Sequence, residues 1–168
     1  MTVVYVTKIA CQNRSSRKDA SQAARLLLKE AAMREYSLDA SAYAEKKGEN
    51  GKPYFEGAPF FFNLSHSGEY VVCALSDAEV GVDIEKARPI SDGVMRRCVG
   101  KCAESDEDNT RLWTRYEAIG KYFGCGIPYQ VDSDAYFIKE YFDLDGYALS
   151  VCSAKDDFAE RLVMVEIV

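Results

Sequence analysis

Apolar residues recur at helical spacing in two long stretches of this 168-residue chain, Lys18 to Tyr36 and Thr110 to Phe123, and almost everything else reads as short strands and turns. In the first stretch Ala20, Ala23, Ala24, Leu27, Leu28, Ala31 and Ala32 form one stripe, and Asp19 lies in the first turn, where the helix dipole favours a carboxylate. The strand-like segments are Thr2 to Ile9, Tyr54-Phe55, Phe60 to Leu64, Tyr70 to Leu75, Val80 to Ile84, Tyr136 to Phe142, Tyr147 to Cys152 and Arg161 to Val168. A polar turn follows Ile9, Glu45 to Pro53 is the main turn cluster, Pro89 to Gly100 is weakly helical, and Glu104 to Asp108 reads as an acidic loop. Two helices set among short strands predict an α+β fold.

The halves resemble one another. Gly68-Glu-Tyr-Val-Val-Cys leads into Val-Gly-Val-Asp-Ile-Glu85, and Asp145-Gly-Tyr-Ala-Leu-Ser-Val-Cys leads into Leu-Val-Met-Val-Glu-Ile167. Read as a duplication, this predicts two pseudo-symmetric subdomains, 1–78 and 79–168, each a small antiparallel sheet packed with a long helix. The active site then falls in the cleft between them, a favoured place for ligands.

Charge and cysteine usage exclude several classes. With 21 Lys+Arg against 27 Asp+Glu the chain carries a net charge of −6, a poor basis for nucleic-acid binding, which needs clustered cations. Apolar runs such as Ala58 to Phe62 fall far short of the roughly 20 residues that span a bilayer, and Met1 to Ala10 lacks the layout of an export signal. Six scattered cysteines without a C-x-x-C pair predict reduced thiols and a cytoplasmic protein.

Chemistry concentrates in three places. In Gly81-Val82-Asp83-Ile84-Glu85 the strand period puts Asp83 and Glu85 on one face, about 7 Å apart at Cα, which fits either a solvated acidic edge or two converging ligands. Trp113, Glu117 and Lys121 lie i, i+4, i+8 on one helical stripe, and the large ring implies that this face is partly covered. Three carboxylates and a lysine suit Mg²⁺ beside a phosphate, because Mg²⁺ prefers hard oxygen ligands and the ammonium supplies a point charge. Phe62-Asn-Leu-Ser-His-Ser-Gly68 holds the only histidine in what reads as a donor-rich loop between strands.

Together these residues resemble the signatures of the Sfp-type 4′-phosphopantetheinyl transferases. The resemblance rests on Gly51-Lys52-Pro53-Tyr54, Phe62-Asn63-Leu64-Ser65-His66-Ser67, Gly81-Val82-Asp83-Ile84-Glu85 and Trp113-Thr-Arg-Tyr-Glu117-Ala118-Ile-Gly-Lys121, in that order, across about residues 17 to 158. It implies transfer of the phosphopantetheine arm of coenzyme A to a serine of an acyl or peptidyl carrier protein by a monomeric, Mg²⁺-dependent enzyme that releases 3′,5′-adenosine bisphosphate. By position, Asp83, Glu85 and Glu117 would hold Mg²⁺, with Asp83 beside the coenzyme A diphosphate. Lys121 would contact the phosphates and stabilise the leaving one, and Glu117 would act as base. Ser65 and His66 would bind a phosphate, Lys52 and Pro53 would line the adenosine end, and Lys18 would approach the 3′-phosphate.

Tyr116 stands where the family pattern has lysine, and the chain is short for the class. Two other readings follow: a coenzyme A- or carrier-binding homologue without the reaction, and a Mg²⁺-dependent phosphohydrolase of small diphosphates. Lys86 to Lys101 carries five cations against Asp92, a local charge of +4 that could steer an acidic partner.

Overall fold

The computed structural model describes residues 1–9, 17–126 and 135–167, and for Arg17 the backbone alone. The polar turn expected after Ile9, with Cys11, lies outside them. The chain forms β1 (Val3–Lys8), α1 (Arg17–Tyr36), β2 (Glu45–Lys47), β3 (Pro53–Phe55), β4 (Phe61–Ser67), β5 (Tyr70–Ser76), β6 (Val80–Lys86), α2 (Asp92–Cys98), α3 (Asp106–Phe123), β7 (Phe137–Tyr141), β8 (Tyr147–Ser153) and β9 (Val163–Met164). The architecture is α+β, with a first sheet ordered β4-β5-β1-β9, a second ordered β6-β8-β7, and a two-stranded ribbon β2-β3.

Strand β1 is apolar on both faces because both faces are covered. Val3 and Tyr5 join Leu27, Leu28, Ala31 and Ala32 of α1 in one core. Val4 and Val6 turn the other way and pack with Val82, Ile84, Leu149 and Val151 of the second sheet. The layers therefore run α1, first sheet, second sheet, α3, with α3 lying on β6 and β8. Two hairpins turn at glycines with positive φ, Gly68 before β5 and Gly146 before β8. The C-terminal strand β9 returns to pair in parallel with β1, so residues beyond 79 complete the first sheet.

Three segments differ from the sequence expectation for identifiable reasons. The acidic stretch before Thr110 is not a loop: Asp106, Glu107 and Asp108 form the first turn of α3, where the dipole favours them, and Ser105 caps it by accepting from the Asp108 N–H. The Asn-Leu-Ser-His-Ser segment is not a loop either. It lies in β4, and its alternate polar side chains accept from backbone N–H groups of β6: Asn63 Oδ1 from Val82 at 2.9 Å, Ser65 Oγ from Ile84 at 3.4 Å and Ser67 Oγ from Lys86 at 3.0 Å. Both strands are sheet edges, so side chains meet the donors that a neighbouring strand would otherwise satisfy. The C-terminal segment expected as one strand is paired only over Val163–Met164.

Candidate active site

The seam where β4 meets β6 carries the chemical groups, and a glycine sets its geometry. A Cβ on Gly81 would come within 2.2 Å of the Ala118 carbonyl oxygen and 2.4 Å of the Tyr122 nitrogen. Only glycine lets the α3 backbone lie this close to β6. Two residues along β6, Asp83 then meets α3: Lys121 Nζ donates to Asp83 Oδ1 at 2.6 Å and to Ser65 Oγ at 2.9 Å, and Ser65 Oγ donates to the same carboxylate oxygen at 2.9 Å.

Asp83 is 5 % exposed, and its Oδ2 is buried without a hydrogen-bond partner. Burial pushes its carboxyl above the usual range, opposed by the Lys121 charge. Glu117, half-buried one turn before Lys121, is also pushed up, first by desolvation and then by the Asp83 charge. Glu85 takes a hydrogen bond from Ser67 Oγ at 3.0 Å and lies 3.7 Å from the Arg88 guanidinium. Trp113, Glu117 and Lys121 are all partly covered, while Tyr116 is buried with its ring 5.8 Å from that of Trp113.

Other candidate residues lie apart. His66 is exposed and sits on the opposite face of β4 from the Asn63 and Ser67 side chains, lining a cavity of about 190 Å³ with Ser21, Arg25, Glu45 and Pro53; Ser65 also borders it. Lys18 is exposed at the start of α1. The Lys52 ammonium is turned inward: it pairs with Glu79 and donates to the carbonyl oxygens of Val80 at 2.9 Å and Tyr122 at 3.0 Å, bridging the start of β6 to the end of α3. A second cavity of about 660 Å³, lined by Lys52, Tyr54, Phe55, Phe61, Tyr122 and Phe123 among others, lies nearby; Asp83, Glu85 and Glu117 line neither cavity. Asn63 and Ser67 belong to the polar segment expected as a loop, and polar residues at period two were the visible signal that they hold β6 instead; the close approach of α3 at Gly81 has no comparable signal in the sequence.

The donor set of three carboxylates, one with an orphaned buried oxygen, suits a hard cation. Among the described residues, however, no group of three or more His, Cys, Asp or Glu side chains is gathered to hold a metal ion as it stands. A buried, lysine-neutralised carboxylate beside a second carboxylate of raised pKa is the equipment of an acid–base or phosphate-handling enzyme.

Comparison with known proteins makes the class specific. The chain is 32 % identical over 170 aligned residues to the 4′-phosphopantetheinyl transferase Sfp of Bacillus subtilis (strain 168), covering 83 % of this chain and 76 % of that protein. It is 38 % identical over 128 residues to the 4′-phosphopantetheinyl transferase AcpT of Salmonella typhimurium, covering 63 % of this chain and 65 % of that protein. No protein-family model matches the chain. The chain belongs to the Sfp-type 4′-phosphopantetheinyl transferases, and its enzyme class is that of the family. No helix of the described residues is long and apolar enough to cross a membrane.

Proposed function

We propose that this protein transfers the 4′-phosphopantetheine group of coenzyme A to a serine hydroxyl of an acyl or peptidyl carrier protein, with Mg²⁺, releasing 3′,5′-adenosine bisphosphate. The observation that carries the reading is the Asp83–Ser65–Lys121 cluster with Glu117 beside it, on the residues shared with the family signatures. In the reaction the serine oxygen forms a bond to the β-phosphorus as the bond from that phosphorus to the bridging oxygen breaks, and the serine proton leaves to a base. Glu117, half-buried one turn from Lys121, is the proposed base for that proton. Lys121 supplies positive charge to the phosphate that leaves. Asp83, Glu85 and Glu117 would hold Mg²⁺, which when bound neutralises diphosphate charge.

Ser65, His66, Pro53, Lys52 and Lys18 remain the proposed surroundings of coenzyme A. The small cavity bordered by Ser65, His66, Pro53 and Arg25 supports the first three. Lys52 supports the site through the α3 carbonyl it holds. A two-half organisation, 1–78 and 79–168, would put the β4–β6 seam between the halves; the glycine hairpins before β5 and β8 support this division, and the pairing of β9 with β1 crosses it. Exposed Lys86, Arg97 and Lys101 would steer an acidic carrier protein. The proposed setting is the cytoplasm and the proposed active form a monomer, in keeping with six scattered cysteines that include no C-x-x-C pair.

The test is carrier dependence. Release of 3′,5′-adenosine bisphosphate from coenzyme A should require a carrier protein with an intact acceptor serine. Equal release without carrier would favour a phosphohydrolase.

A further inference from the structure

Asp83 shares the charge of one lysine with a second carboxylate, Glu117. Its Oδ1 receives both Lys121 and Ser65, and its Oδ2 is buried with no partner. Lys121 is in direct contact with Asp83, and its charge also acts on Glu117 one turn away. A lysine side chain delivers one charge on a flexible four-carbon stem and donates to only a few oxygens. A small divalent cation delivers two charges and binds carboxylate oxygens directly.

We propose that in the metal-free protein the Lys121 ammonium holds the place of the divalent cation, and that the cation binds by displacing Lys121 from Asp83. This rests on the metal reading given above and adds to it a competition within the protein itself. It accounts for a buried carboxylate that holds Lys121 on one oxygen and has no partner on the other. The buried, unpartnered Asp83 oxygen is the position at which a second cationic partner is missing while Lys121 occupies the first. Displacement also frees the ammonium for an anionic ligand, so cation and phosphate favour one another through the same lysine.

The experiment is titration of Mn²⁺ alone, followed by calorimetry, into wild type, Lys121→Gln, Lys29→Gln and Asp83→Asn, with circular dichroism on each. Lys121→Gln should bind Mn²⁺ about tenfold more tightly than wild type. Lys29→Gln, which removes the same unit of charge from an exposed position on α1, should change affinity less than about threefold. Lys121→Met, followed by thermal melting, provides a second measurement: Mn²⁺ should raise its melting temperature more than that of wild type. Mn²⁺ binding that is lost in Asp83→Asn but no tighter in Lys121→Gln would overturn this inference and leave the metal site standing. No Mn²⁺ binding by any variant would overturn both.

Discussion

Asp83 is a carboxylate that burial opposes and one ammonium sustains, which makes its substitution informative. Asp83→Asn keeps the shape, removes the charge that Lys121 neutralises, and should leave the protein folded while lowering transfer at least about 100-fold, measured as carrier modified per minute. Arg25 and Glu45 give a contrasting pair at the surface. Their bidentate ion pair ties β2 to α1, and the guanidinium holds the Glu45 carboxyl below its usual range. A depressed carboxylate contributes stability above its unfolded pKa and loses it as pH falls through its folded one. Arg25→Met should therefore cost less than about 1 kcal/mol at neutral pH, and the difference from wild type should vanish in acid once Glu45 is protonated in both states, as read by denaturant unfolding. Asp83, Glu117 and Lys121 were legible from sequence because strand and helix periods place them on single faces. The inward turn of Lys52 was not, because its carbonyl partners, Val80 and Tyr122, are distant in the chain.

At the scale of elements, the contact of α3 with β6 depends on Gly81. Gly81→Ala would drive a methyl group into the backbone at Ala118 and Tyr122, so the helix must shift; the expected cost is about 3 kcal/mol or more, with transfer lost as Lys121 moves from Asp83. Equilibrium unfolding and the carrier assay read the two effects. The β4–β6 seam gives an independent check. Asn63→Ala leaves the buried Val82 N–H without its acceptor and should cost about 1–3 kcal/mol, whereas substitution of exposed Glu49 should change stability little. Both long helices were visible as apolar stripes, but the start of α3 was not: its carboxylates resemble a solvated loop until Ser105 is seen as a cap. The β4 polar residues misled for a related reason, since their partners are backbone groups of another strand rather than solvent.

Across the whole molecule, the first sheet is buried on both faces and its edge strand β4 meets the edge of the second sheet, so the site lies where the sheets join. The α+β class was predictable from two helices and many short strands. The return of β9 to β1 was not, because the two paired residues are too few to carry a register signal of their own. This arrangement brings Ser65 of one sheet to Asp83 of the other, with Lys121 of α3 completing the cluster. The most direct measurement is the intact mass of carrier proteins incubated with this chain, coenzyme A and Mg²⁺. Wild type should add about 340 Da to the carrier, and folded Asp83→Asn should add nothing over the same time. Unmodified mass across several carrier proteins with wild type, or equal modification by Asp83→Asn, would contradict the account.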